Sequence, residues 1–366
     1  MKTVGFIIDS VIPDMVSVLH GKCGPLSIFR GAMTNGSVAI MRFGWVADEI
    51  ANHESDVTYE LYKSWKRYDA VVFQKSMGRA CERLLDKLST LGTKTIFDAN
   101  VDYFSKPIGK EYYKGMMPRV DQIESARYMA GRCDGVIGDS AHITGIASKY
   151  NQNCSCITDN VRNDLILNRT SWSPSGGKIT LLWSGEAVKL FDILSIKEVL
   201  INSRHLIRLR IITNSLEGTK LWDHGIQQEF KELLAAVEHE ILPFTTVEDL
   251  MKVYDKGGVF ISPRFLDNNY NYGHTEWKIT LAMARGCVVL CSPQPSYMDV
   301  ANLAGMTGIK ICRTQADWES AIEAVAGNAF DWKKEQNAAC CVVKEHYSTA
   351  VVAKRHLSFV ENILAV

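Results

Sequence analysis

Apolar residues along this chain fall into two alternating patterns, short continuous runs and longer stretches where they recur at helical spacing. In the first half the runs are Thr3 to Asp9, Val57 to Leu61, Ala70 to Gln74, Thr95 to Asp98, Gly135 to Asp139 and Ser155 to Thr158. Helical periodicity predicts helices over Val38 to Asn52, Met77 to Leu91, Asp121 to Gly131 and Ala141 to Tyr150. Strands that alternate with helices predict a parallel sheet covered on both faces. The pattern breaks at 168–177, a Ser/Pro/Gly cluster without periodicity that reads as a linker. It then restarts, with strands at Ile179 to Ser184, Leu209 to Thr213, Glu240 to Phe244, Val259 to Ser262, Val288 to Ser292 and Ile309 to Arg313. Thr246 to Asp249 and Thr314 to Asp317 resemble capping boxes, and a last helical pattern runs from about Thr349 to Leu364. The expectation is two Rossmann-like α/β domains, residues 1–167 and 178–348. Their ligand should lie at the carboxyl ends of the strands, in the cleft between them.

Composition narrows this picture. The chain has 366 residues, 46% hydrophobic and 22% charged, with 41 basic and 41 acidic side chains. Residues 1–167 hold 20 basic and 19 acidic groups, so neither half has the basic excess that gripping a nucleic acid backbone requires. No apolar run reaches the ~18 residues of a membrane span, and the start lacks a signal peptide's pattern, so a cytoplasmic location is expected. The 10 cysteines show no C-x-x-C pair or zinc-finger spacing and are read as reduced core thiols. No G-x-G-x-x-G follows a predicted strand and no P-loop is present, which argues against ordinary dinucleotide or P-loop chemistry.

The most informative segment runs from Val259 to Ser292: strand, Ser-Pro, long polar loop, a helix starting near Glu276, a stop at Gly286, then a strand. Free N–H groups in that helix's first turn make an anion site, and Lys278 lies among them. A cation there opposes the helix dipole, a cost that a bound anion reverses. The alternative for Lys278 is a solvated side chain on the surface.

This segment, with Lys278-x-x-x-Ala-Met-Ala-Arg-Gly286 followed by Val-Val-Leu-Cys-Ser292, resembles the donor-binding motif of GT-B fold glycosyltransferases of the family-4-like group. Leu182-Trp-Ser184-Gly185 with Lys189 resembles that group's glycine-rich loop and its diphosphate cation. Phe244 to Tyr254, with Thr246 and Glu248, resembles the loop and helix beside the nucleobase. His346 to Arg355 and the residues after it resemble the final helix that crosses back to the first domain. The resemblance implies donor binding by Ser184, Gly185, Lys189, Asn214, Phe244, Thr246, Glu248 and Arg264. It adds the loop Tyr272, Gly273, His274, Thr275 and Glu276, and Lys278. The group's Glu-x7-Glu pair would fall at Gly273 and Leu281, so this chain departs from it by lacking both carboxylates.

On the acceptor side, Asp98 and Asp102 end a predicted strand, where a carboxylate can act as base or stabilise positive charge on the sugar. Each could equally cap the turn that follows. Asp9, at the end of the first strand, is either a base or a turn former. Arg42 lies near a helix start that resembles the acceptor-side motif of such enzymes. The stretch Tyr103 to Arg119 holds four basic residues against one acid, interleaved with four aromatics, with Lys106 and Lys110 among them. That mixture suits an anionic membrane surface or a lipid-diphosphate acceptor, or else is a solvated loop.

The reading is a metal-independent glycosyltransferase without a cofactor, retaining rather than inverting. It moves a sugar from a nucleotide-diphosphate sugar to a glycan or lipid-linked acceptor, in cell-surface polysaccharide or glycoconjugate synthesis, with peripheral contact to the inner face of the membrane. Two alternatives stand beside it: a sugar-nucleotide epimerase of the same build, and a catalytically inactive module that binds a glycan or a partner enzyme.

Overall fold

The computed structural model describes residues 1–8, 40–53, 55–167, 177–244, 246–327 and 329–365. Asp9 and most of the predicted linker, 168–176, lie outside the described residues.

Two six-stranded sheets, each wholly parallel, carry the fold. The first is ordered β2-β1-β3-β4-β5-β6, from β1 (Lys2–Ile8), β2 (Val57–Leu61), β3 (Ala70–Gln74), β4 (Lys94–Ala99), β5 (Gly135–Gly138) and β6 (Cys154–Cys156). The second is ordered β12-β11-β10-β7-β8-β9, from β7 (Ile179–Gly185), β8 (Ile207–Thr213), β9 (His239–Pro243), β10 (Val259–Ser262), β11 (Val288–Cys291) and β12 (Ile309–Ile311). Strands buried on both faces must be apolar throughout, which is why β3, β10 and β11 read as unbroken runs. Two buried apolar clusters flank each sheet, and one of them draws Met41, Trp45, Val161 and Leu165 of the first half onto helices of the second.

Both predicted capping boxes form, at Thr246 with Asp249 and at Thr314 with Asp317. Gly286 closes the helix Trp277–Ala284 at a φ of +74°, a conformation that costs other residues a Cβ clash. Where the sequence predicts a regular helix, residues Ile40–Trp45 form a wide π-turn before the α-helix Val46–Ala51. The last helix, Thr349–Ala365, lies against the first sheet. His356 Nδ1 is 2.8 Å from the Tyr59 hydroxyl, and Phe359 and Ile363 sit so close over Gly135 that a Cβ there would meet them at 2.8 and 2.9 Å.

In the stretch 103–119 the four basic residues are exposed, while most of the rings turn inward. Tyr103 and Phe104 are buried in the first half, while Tyr112 and Met116 are buried in the apolar cluster of the second sheet. The Tyr112 ring stacks on Phe191 and on Phe265, each at 4.6 Å, and its hydroxyl donates to Asp267 at 2.7 Å. Gly109 pairs with Asn268, and Tyr113 with Trp222. Among the described residues no helix is long and apolar enough to cross a membrane.

Candidate active site

In the second sheet the chain runs outward from β7 to β9, then returns to start β10 beside β7, so the strand order reverses between β7 and β10. Helices leave on opposite faces at such a point and open a crevice at the carboxyl ends of the strands. A cavity of about 640 Å³ lies there. Ser184, Gly185, Glu186, Lys189 and Arg264 line it from this edge, while Lys75, Asn100 to Tyr103 and Asp159 line it from the carboxyl edge of the first sheet.

One wall is cationic. Residues Ala187–Ile196 form a 3-10 helix, whose three-residue turn brings Lys189 and Asp192 onto one ridge. Asp192 is buried; its Oδ2 accepts from Arg264 at 2.7 Å, and its Oδ1 accepts from Asn271 Nδ2 at 2.8 Å and from the Phe265 amide at 3.3 Å. Arg264 Nε has no partner. Lys278, in the first turn of the helix Trp277–Ala284, is not the solvated lysine that was the alternative. Its Nζ is buried, lies 4.9 Å from the centre of the Trp183 ring, and has no hydrogen-bond acceptor. Burial, and then the charge of Arg264, push its amine well below the usual lysine range. His274 is half-buried, edge-on to Tyr270 at 4.6 Å, with Nε2 buried and unpartnered, and burial, then nearby cations, push its imidazole well below the usual histidine range. Gln294 Nε2 and Ser296 Oγ donate to its carbonyl and fix the loop.

The opposite wall presents Asp102 and Asp159, with Lys75, and behind it lies a buried group of carboxylates around one arginine. Arg42 is buried and forks onto Asp98, with Nε to Oδ2 at 2.8 Å and Nη2 to Oδ1 at 2.7 Å. It also donates to Asp159 Oδ1 at 3.0 Å and to the Ile157 carbonyl at 2.9 Å. The π-turn at Ile40–Trp45 is where the chain delivers this side chain into the sheet edge, a common setting for such a turn. Asp139 and Glu276 lie close enough to feel this group, and both carboxyls are pushed well above their usual range, first by burial and then by Asp159. Asp102 faces the cavity, with Oδ1 accepting from the amides of Phe104 and Ser105, each at 2.9 Å.

Of the residues singled out in the sequence, the cavity gathers Asp102, Ser184, Gly185, Lys189, Phe244, Arg264, His274, Thr275 and Lys278. Others stand behind it. Asn214 holds the start of the 3-10 helix through its Oδ1 and the Ala187 amide, at 2.8 Å. Thr246 is spent on its capping box, and the exposed Glu248 lies 3.9 Å from Arg162. Tyr272 is edge-on to His142 at 5.2 Å. Gly273 packs against Asp102 so tightly that a Cβ would lie 2.7 Å from the Asp102 Cβ. Asp98 and Arg42 face each other rather than the cavity, since the forked pair uses both carboxylate oxygens. Lys106 and Lys110 do not line the cavity; Lys110 Nζ lies 4.8 Å over the Tyr112 ring, and the Lys106 carbonyl accepts from Asn269 at 2.9 Å.

Sequence reasoning passed over Asp159, Asp139 and Asp192. A signal existed for each. Asp139 and Asp159 follow β5 and β6 at the same carboxyl edge as Asp98, and Asp192 interrupts the apolar run Ala187 to Ile196. A lone carboxylate inside such a run must find a buried partner. Among the described residues no group of three or more His, Cys, Asp or Glu is placed to hold a metal ion.

No family model matches the chain, and no curated relative does. Solved structures match its fold. Sucrose-phosphate synthase from Thermosynechococcus elongatus superposes with a TM-score of 0.66 at 10% identity over 100% of both chains. HepE from Anabaena, in complex with UDP and glucose, gives 0.65 at 11% identity, over 99% of this chain and 100% of that one. A glycosyltransferase from Rickettsia africae gives 0.64 at 13%, over 99% and 98%. TarM gives 0.55 at 13%, and the match covers 79% of this chain but only 54% of TarM. The fold is therefore GT-B, two parallel-sheet α/β halves of the kind that these glycosyltransferases share.

Proposed function

We propose that the chain is a glycosyltransferase that takes a sugar from a nucleoside diphosphate sugar and passes it to a glycan or lipid-linked acceptor. The observation that carries this is the set of cations at the β7/β10 switch. Lys278 and Arg264 Nε are buried without acceptors, with Lys189 beside them and the first turn of the helix Trp277–Ala284 opening onto the same space. A diphosphate supplies the missing acceptors. The apolar side of the cavity, Phe244, Val247, Leu250 and Leu281, suits a flat base. HepE with UDP and a TarM variant with UDP support a uridine donor.

Breaking the glycosyl–phosphate bond leaves negative charge on the diphosphate and positive charge on the sugar. Lys278, Arg264, Lys189 and the helix amides receive the first. Asp102, on the facing wall, stabilises the second. We favour a retaining outcome on the family-4-like resemblance of the donor segment. Asp98 is committed to Arg42, while Asp159 Oδ2 and both oxygens of Asp139 have no partner. Synthesis of a cell-surface polysaccharide or glycoconjugate fits such an enzyme.

The test is titration calorimetry with nucleoside diphosphates and their sugars, followed by transfer assays. Lys278→Ala should weaken binding roughly 10- to 100-fold, the worth of a charged hydrogen bond of about 1.5–3 kcal/mol. Absence of binding by any nucleotide sinks the reading. Binding without transfer to any acceptor makes the chain a sugar-nucleotide-binding module instead.

A further inference from the structure

A lysine ammonium has three N–H donors, and for Lys278 the structure provides no acceptor for any of them. The groups facing it from each packed element explain why. The 3-10 helix brings Lys189, a like charge, and Asp192, whose two oxygens are already held by Arg264, Asn271 and the Phe265 amide. The loop after β10 brings Arg264, a second like charge, with Tyr297 behind it. Its own loop brings His274, which is neutral, and Glu276, whose charged neighbours are Asp159, Arg42 and Asp299. Strand β7 offers only the Trp183 ring. An ammonium held here without a counter-ion costs several kcal/mol, and shedding its proton relieves that cost.

We propose that Lys278 couples ligand entry to protonation: uncharged in the free protein, it takes one proton from solvent as a diphosphate arrives, so that binding and proton uptake are a single event. This rests on the reading of the cavity as a diphosphate site. The balance is one neutral amine, one proton and one anionic ligand giving one ammonium–diphosphate pair. The ligand supplies the counter-charge that Asp192 cannot, because Asp192 is spent on Arg264. The sign follows from linkage. While the free amine is neutral and the bound one charged, each unit rise in pH weakens binding about tenfold. A ligand without the diphosphate, such as a neutral sugar, draws no proton.

UDP-glucose, GDP-mannose and ADP-glucose suit the test, because a diphosphate diester has no titratable proton near pH 8 and any proton taken up goes to the protein. Each is titrated at pH 8 in Tris and in HEPES, whose ionisation heats differ. The expected result is a buffer-dependent heat equal to one proton taken up per ligand, with affinity falling about tenfold from pH 8 to 9. In Lys278→Met, with its fold checked by circular dichroism, that uptake disappears. Lys278→Arg, permanently charged, binds without uptake. Equal heats in both buffers overturn the proposal, as does uptake that survives in Lys278→Met, which would move the proton to another group such as His274. Uptake with binding but no glycosyl transfer leaves this inference standing and removes the enzyme reading. Transfer without uptake does the reverse, and no binding by any of the three sinks both.

Discussion

The two walls of the cavity are built alike and finished differently. Each rests on a buried arginine at the carboxyl edge of a parallel sheet, Arg42 behind the first and Arg264 in the second. Arg42 uses Nε, Nη1 and Nη2, and is surrounded by more carboxylates than it can neutralise. Arg264 pairs with one carboxylate, keeps Nε unpartnered, and stands beside two lysines. The first arginine is thus a closed joint, and the second is an incomplete one that an anion would finish. A buried arginine alone therefore does not mark a binding site; the donors it leaves over do.

The largest effect expected from breaking this contrast is at the closed joint. Arg42→Met removes five hydrogen bonds and strands Asp98 and Asp159 in the interior, a loss of about 3–5 kcal/mol for an ion pair broken from one side. Urea unfolding should show it. Arg42→Lys should recover little, because a point ammonium cannot reproduce the fork. A variant with wild-type stability would mean that the joint is not structural.

The two walls should also bend the stability curve in opposite directions. Asp139 is held protonated by burial and then by Asp159, so its contribution is full below the unfolded pKa of about 3.9 and is lost as pH rises. Lys278 is held neutral by burial and then by Arg264, so its contribution is full above the unfolded pKa of about 10.4 and is lost as pH falls. Between pH 5 and 9 the two slopes, each up to about 1.4 kcal/mol per pH unit, oppose one another. Asp139→Asn should make stability fall less with rising pH than in the unmodified protein, because Glu276 keeps the same sign of slope, and Lys278→Met should make it fall more. Urea unfolding of each variant across that range checks both, and unchanged slopes would erase the electrostatic difference between the walls.

Much of the scaffold was legible because its signals are local. Runs such as Val259 to Ser262 can only be buried strands, Thr246 and Thr314 announce their caps, and Gly286 announces a left-handed stop. The loop that supplies His274 and Lys278 was legible from its place between two such strands. The carboxylate group behind the first wall was not. Arg42 finds Asp98 and Asp159 across 56 and 117 residues, and no local pattern records a pairing that depends on which strand ends are neighbours in the sheet. Asp98 and Arg42 were therefore read separately, as a base and an acceptor contact, when each satisfies the other. In the segment 103–119 the direction of the rings was not legible, for another reason. Basic and aromatic composition is the same whether rings face out or in, and only Phe191 and Phe265 decide that Tyr112 turns inward.

That segment supplies the smallest of the expected effects and the sharpest check on how independent the two walls are. It starts beside the first wall, contributes Tyr113, Gly115 and Met116 to the cavity lining, and anchors in the second half through the Tyr112 ring and hydroxyl. Tyr112→Phe keeps the stacked ring and removes only the bond to Asp267, leaving that carboxylate without its phenol donor. The expected loss is about 1–2 kcal/mol, or roughly 1–3 °C in Tm for a chain of this size. Because the ring holds the geometry, Kd for a nucleotide should move less than twofold. A larger rise in Kd with the fold intact would mean that the Asp267 bond sets the spacing of the two walls, and that the cation set cannot bind without it.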